Sequence, residues 1–247
     1  AANWPDYWKA TGKEVGAVIG FVALGLFQSE EEIANSPTIE GTQAKVGDIK
    51  YLDRNGDGKI TYSQDMGYVG ASVYPKYEGG LNLDFGWKGF DLTMRWTYAF
   101  GRDVALTGVY TSSGSAGIQD NTAYTKAFYH GGNSPRFLVE NMWRPDNTDA
   151  RFPRLGINTT NNNAYSSTWW YENGNYLRLK NFQFGYSIPS RILRKAGLST
   201  CRVYIEGTNL VTLSRLTKYN IDPEMPSVNN GYYPQQMLTG FGIDVSF

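Results

Sequence analysis

At 247 residues the chain is long enough for one large β domain or two small ones. Lys and Arg (23) balance Asp and Glu (23), which excludes a nucleic-acid or acidic-surface partner recruited by net charge. One cysteine, Cys201, excludes an internal disulfide framework, and one histidine, His130, alone in a Gly-rich stretch, speaks against a zinc centre or a histidine-centred catalytic group. Aromatic residues at 15%, 28 Gly and a charged fraction of 19% suit strands and turns rather than helices.

The chain opens Ala1-Ala2-Asn3-Trp4, with no initiator Met and no export signal. The most apolar run, Val15 to Phe27, carries Gly12, Gly16 and Gly20 in GxxxGxxxG spacing. It falls short of the roughly twenty residues that a membrane helix needs, and its β-branched and aromatic positions favour a strand or a buried segment. Ser29-Glu30-Glu31-Glu32-Ile33 reads as a short capped helical turn that ends before Pro37.

Asp53-Arg54-Asn55-Gly56-Asp57-Gly58-Lys59-Ile60 has the opening of an EF-hand calcium loop. Oxygen side chains alternate, a glycine permits the bend, and Lys59 would offer its carbonyl. The twelfth position holds Gln64, with Asp65 one place later. A calcium site would therefore use Asp53, Asn55, Asp57, Lys59 and Asp65. The competing reading is an Asp/Asn/Gly turn closed by its own hydrogen bonds.

Tyr77 to Phe100 is the clearest signal. Tyr77, Gly79, Leu81, Leu83, Phe85 and Trp87 alternate with Glu78, Gly80, Asn82, Asp84 and Gly86. After Lys88-Gly89 the phase flips, and Phe90, Leu92, Met94, Trp96, Tyr98 and Phe100 alternate with Asp91, Thr93, Arg95, Thr97 and Ala99. A two-residue turn pairs Trp87 with Phe90 and puts both apolar rows on one face of a hairpin. Each strand is about as long as the ~9–11 residues that cross a bilayer, and aromatics gather at the ends of the apolar row. That face is expected to meet lipid through Leu81, Leu83, Phe85, Trp87, Phe90, Leu92, Met94 and Trp96. Asp84 and Asp91 are expected to neutralise Arg95 on the other face.

From Gly101 to Asn175 no alternation is sustained, and the segment reads as a long loop with firmer islands at Trp143–Asn147 and Arg151–Leu155. Alternation returns at Phe182, Phe184 and Tyr186, which join the lipid-facing set. The preceding Tyr176–Lys180 is in another phase, so a bulge or a change of environment is expected near Asn181. Pro189–Leu198 is a short connection with one amphipathic turn at Arg191–Lys195. Cys201, Val203 and Ile205 begin the next strand, Ser214–Pro234 is a second long loop, and Met237, Thr239, Phe241, Ile243, Val245 and Phe247 line one face of the last strand.

Connections thus alternate short and long, as in an outer-membrane barrel with short periplasmic turns and long outer loops. On that reading the C-terminus is periplasmic. Five or six strands cannot close such a barrel, which needs about eight, and open edges in lipid would leave backbone groups unpaired. The remaining strands must then come from more of the same polypeptide or from a companion chain. The other candidate is a soluble, calcium-stabilised β-sandwich that binds carbohydrate or serves adhesion. No nucleophile–base constellation is present, so an enzyme is not expected.

Several ordered motifs carry a family resemblance. They are Gly47-Asp48-Ile49-Lys50-Tyr51 with Asp53–Gly58, Tyr176-Leu177-Arg178-Leu179-Lys180-Asn181 with Phe184–Pro189, Val203–Leu210, Ile221-Asp222-Pro223-Glu224 and Tyr233-Pro234-Gln235. Together they resemble the SusC/RagA-like TonB-dependent outer-membrane transporters. The resemblance implies an all-β fold, an antiparallel transmembrane segment of about 5–6 strands from the C-terminal part of a 22-stranded barrel. Residues 48–66 would form an extracellular calcium-loop-like segment, and 101–175 and 214–234 long extracellular loops. It implies import of oligosaccharides or peptides, a SusD-like surface lipoprotein as lid, and TonB acting through a plug region that this chain lacks. Phe241, Ile243, Val245 and Phe247 would form the barrel-assembly signal. No cofactor is required, and calcium is the one ion with a candidate site.

Overall fold

The structure, a computed structural model, describes residues 6–9, 11–70, 72–106, 136–154, 161–163, 165–219, 221–224 and 235–247. His130, Leu155 and Tyr233-Pro234 lie outside the described residues. In chain order the strands are β1 (Val18–Gly20), β2 (Ala23–Leu26), β3 (Ile49–Tyr51), β4 (Gly67–Gly70), β5 (Tyr77–Trp87), β6 (Phe90–Phe100), β7 (Asp103–Ala105), β8 (Tyr171–Asn173), β9 (Tyr176–Ser187), β10 (Thr200–Ser214) and β11 (Leu238–Ser246). Short helical turns are α1 (Glu30–Ala34), α2 (Tyr62–Asp65), α3 (Arg136–Glu140) and α4 (Ser190–Leu193). No helix among the described residues is long and apolar enough to cross a membrane.

The described residues divide into two units, one drawn from 1–74 and 103–173 and the other from 75–102, 174–225 and 233–247. In the second, five strands form one antiparallel sheet in the order β11-β10-β9-β6-β5. Each strand of this sheet pairs with the next one in the chain, a meander interrupted only by the excursion between β6 and β9. The β5–β6 register is the one the sequence dictates, from Trp87↔Phe90 through Leu81↔Trp96 to Tyr77↔Phe100. Lys88 and Gly89 both have positive φ, 46° and 89°, which fits a two-residue turn whose twist matches the flanking strands. Gly79 lies opposite Tyr98 as expected, and the tyrosine hydroxyl comes within 2.8 Å of where a Cβ would stand.

Of the two alternatives near Asn181, the structure has the bulge. Arg95 pairs with Asn181 and Trp96 with Leu179, so Lys180 is an extra residue against β6. Across β10 the register jumps from Thr208↔Asn181 to Val211↔Leu179. There Asn209 takes a positive φ of 54° and donates its side-chain Nδ2 to the Gln236 carbonyl at 3.0 Å. The extra residue re-phases β9, so that Leu177 and Leu179 share a face with Phe182 and Phe184.

In the first unit, Val15–Phe27 forms two short strands, β1 paired with β4 and β2 with β3. Gly20 is required by a close approach, because a Cβ there would lie 2.5 Å from the Ser166 carbonyl oxygen. That carbonyl accepts the Phe21 amide at 2.8 Å. Phe21, Phe27, Ile49, Ile60, Leu106 and Phe152 are fully buried and form the core, each worth about 1.5–3 kcal/mol on burial. The α1 turn is capped as its sequence indicates, with Ser29 accepting the Glu32 amide at 3.1 Å. The stretch read as one long loop thus supplies β7, α3, β8 and core residues of this unit.

Candidate functional site

The five-stranded sheet has two chemically distinct faces. On one, a row of apolar residues crosses all five strands: Phe85 pairs with Leu92, Leu92 with Phe184, Phe184 with Ile205, and Ile205 with Phe241. A second row runs Trp87, Phe90, Tyr186, Val203, Ile243. These side chains are not covered: Trp87 is 68% exposed, Phe85 58% and Phe241 68%, and Leu81, Phe90, Phe184, Ile243 and Val245 are also exposed. Leu83, Leu92, Met94, Trp96, Phe182 and Tyr186 are half-buried among their neighbours on the same face. Phe247 follows β11 and is 92% exposed. A contiguous apolar surface of this width needs a partner medium.

The opposite face is polar, and its residues pair by charge. Arg95 donates to Asp84 at 2.8 Å, and Thr93 donates to the same carboxylate. Asp91 does not join them. It lies four residues from Arg95 along a strand, too far for contact, and instead accepts two bonds from Arg202, which reaches over the bare backbone of Gly185. A Cβ on Gly185 would stand 2.5 Å from the guanidinium, and one on Gly242 would enter the Tyr204 ring. Glycine on this face makes room for large polar side chains from neighbouring strands. Thr93, Arg95, Asn181, Gln183, Glu206 and Thr208 line a concave trough of about 620 Å³.

Toward the end of the sheet that carries the long connections, the segment Ile221–Glu224 is bound to this polar face. Arg178 is 4% exposed and uses all its donor groups: Nε to Thr212, Nη1 to Glu224 and Nη2 to Asp222, each at 2.9 Å. Lys180 donates to Glu224 at 2.7 Å and to Gln235 at 2.9 Å, and the Gln235 amide donates to Glu224 at 2.6 Å. Thr97 reaches the other Glu224 oxygen, and Arg102 donates to the Pro223 carbonyl. Burial opposes the charge on Glu224, but Lys180, Arg178 and Gln235 outweigh it and hold the carboxyl below the usual glutamate range. Sequence reasoning placed Arg178 and Asp222-Pro223-Glu224 in separate motifs. Their contact, 44 residues apart along the chain, had no local signal.

The calcium-like loop is closed by its own bonds. Asp53 accepts the amides of Gly56 and Gly58, Asn55 accepts that of Asp57 and donates to Asp57 and Gln64, and Asp57 accepts the Lys59 amide. The Asn55 side chain and the Lys59 amide hold the Asp57 carboxyl below its ordinary pKa. Asp65 is fully buried and points to the backbone, accepting the Arg54 and Thr61 amides. Among the described residues no three His, Cys, Asp or Glu side chains gather as a metal site.

Asp48, in the Gly47–Tyr51 motif, is fully buried and ties distant segments together. Its carboxylate accepts from Lys45 N, Arg154 Nε and Asn163 Nδ2 at 2.7–3.0 Å. Asn163 in turn accepts the Ile49 amide, and Asn162 accepts the Tyr51 hydroxyl through its carbonyl. Burial raises the Asp48 pKa, opposed first by Arg154. Gly47 lies beneath the Trp143 ring, which leaves no space for a Cβ. The motif is therefore a structural junction of its unit.

No family model matches the chain. Two curated proteins of Formosa agariphila do: TonB-dependent receptor P3, 29% identical over 94% of this chain and 21% of the receptor, and TonB-dependent receptor P26, 27% identical over 96% of this chain and 23% of the receptor. The chain thus spans about a fifth of the length of these relatives. In fold it is similar to the RagAB peptide transporter (TM-score 0.57, 21% identity, 94% of this chain and 23% of that one). It is also similar to the RagAB peptide importer in its "closed-closed" state (TM-score 0.54, 20% identity, 93% of this chain and 23% of that one). These relatives are named as receptors and transporters. By sequence along nearly its whole length the chain resembles a segment of TonB-dependent receptors, and its fold is similar to a segment of the RagAB transporter.

Proposed function

We propose that this chain forms part of the wall of an outer-membrane TonB-dependent importer of oligosaccharides or peptides. The observation that carries the reading is the sheet's uncovered apolar face, five strands wide, set against a polar face of paired charges. Lipid contacts the first through Leu81, Leu83, Phe85, Trp87, Phe90, Leu92, Met94, Trp96, Phe182, Phe184 and Tyr186; the second lines the water-filled interior. Residues 48–66, 101–175 and 214–234 lie outside the cell, the C-terminus is periplasmic, and a SusD-like lipoprotein closes over the outer segments. TonB acts through a plug to which no residue here is assigned. Similarity to proteins named as receptors and peptide transporters supports the reading.

The test is fractionation of the full receptor that carries this segment. It is expected in the outer-membrane fraction, extracted only by detergent, and migrating faster on gels before boiling than after. Recovery as a soluble monomer would overturn the reading. The Asp53–Asp65 loop is an optional calcium site: its own hydrogen bonds already hold it, so chelation is expected to leave the melting temperature unchanged. A rise with added calcium would show occupancy.

A further inference from the structure

We propose that Ile221–Glu224 is an inward strap, fixed by Arg178 and Lys180, that forms part of the interior surface a solute meets. The proposal rests on the wall reading above.

Depth and charge carry it. Glu224 is bonded to Thr97, three residues before the end of β6, and to Lys180, the fifth residue of β9. At about 3.4 Å per residue, the contact lies roughly 10 Å inside the sheet rather than above it. Arg178, Thr97 and Thr212 lie in one row across three strands on the polar face, so the strap crosses the wall at a fixed height.

A free surface loop has no need of such a hold. Two carboxylates of the segment meet two cations of the wall, and the side chains of Asp222 and Glu224 are only 16% and 13% exposed. Ile221 and, just before it, Leu216 and Tyr219 are buried as well. Glu224 is shared by Arg178 and Lys180, so removing it takes an anionic partner from both cations at once and weakens the remaining contacts, which makes release cooperative. Arg178 and Lys180 are positioning residues here: they act on the solute through where they put the strap.

The experiment uses the full receptor in intact cells, with Cys201→Ser and Pro223→Cys, because Pro223 contributes only its carbonyl to the network. A small membrane-impermeant maleimide and a polyethylene-glycol maleimide are applied from outside, and labelling rates are compared. With the strap held, Cys at 223 is expected to react slowly with the small reagent and negligibly with the large one. Glu224→Ala lies on the strap rather than in the barrel, so insertion should be unaffected. It is expected to speed both reactions by about tenfold to a hundredfold, as does Arg178→Met. Glu224→Gln, which keeps the neutral hydrogen bonds, should fall between.

Equal rates in parent and Glu224→Ala, with both receptors shown by gel migration to be inserted, overturn the strap and leave the wall reading standing. Absence of the parent receptor from the outer membrane overturns the wall reading itself.

Discussion

At the residue scale, two acids show how context sets a carboxylate's role. Asp48 is buried by core contacts that raise its pKa, whereas Glu224 is surrounded by cations and a donor amide that lower it. For Glu224 the sign follows directly. Its folded-state pKa lies below the unfolded value, so its contribution to stability is complete above the ordinary glutamate range and is lost as pH falls through the lowered value. Amide exchange of Asp222 and Glu224, corrected for its intrinsic pH dependence, is therefore expected to be flat from about pH 5 to about pH 8 and to accelerate only below that. Acceleration on raising pH across neutrality would contradict the assignment. Neither acid's partners were legible in the sequence. Asp48 with Asn163 and Glu224 with Arg178 are separated by 115 and 46 positions, and no periodicity reports on pairs brought together only by the fold. The expectation that Asp91 would neutralise Arg95 failed on strand spacing, since four residues along one strand keep the two apart, and the partner came from β10.

At the element scale, the strands were readable because their side chains obey a period of two against two very different surroundings. The β5–β6 register follows from the phase flip at Lys88-Gly89 alone, and the bulge near Asn181 from a second phase change. What could not be read was the segment from Gly101 to Asn175. Its described parts are held by contacts such as Phe21 with Ser166 and Ile49 with Asn163, which leave no repeating pattern in either partner. Face identity gives a sharp test. Phe184→Arg places a charge on the apolar row and is expected to cost about 2–4 kcal/mol in an unfolding titration from lipid vesicles, if that position lies near the bilayer centre. Gln183→Arg, its neighbour on the polar face, should cost under about 1 kcal/mol. Equal penalties would mean that both faces meet the same medium.

At the scale of the whole molecule, β5 and β11 are the borders of the sheet, each paired on one side only among the described residues. A row of unpaired backbone groups in hydrocarbon costs several kcal/mol per group, so the sheet is a wall only when continued by further strands. Insertion then depends on an assembly step that engages a border strand, and the resemblance assigns that to Phe241, Ile243, Val245 and Phe247. All four are exposed, Phe247 most of all. Phe247→Ala is expected to lower the amount of inserted receptor severalfold. Phe241→Ala, which removes one ring from a row of five, should lower it far less. The measurement is the heat-modifiable fraction in isolated membranes, and equal losses would remove Phe247 from that role.

The extra residue in β9 also bears on how such a wall can change over evolutionary time. Deleting Lys180 would leave Leu177, Leu179, Phe182 and Phe184 on the side they already occupy; what vanishes is one ammonium group facing Glu224. Deleting any single residue in the middle of β6, which has no such slack, would invert every position beyond the cut and turn Asp91 or Arg95 outward among the tryptophans and phenylalanines. Length variants among descendants of this sequence should therefore keep the apolar rows in phase when the change falls at Lys180, though they loosen the hold on Glu224, and should be purged from β6.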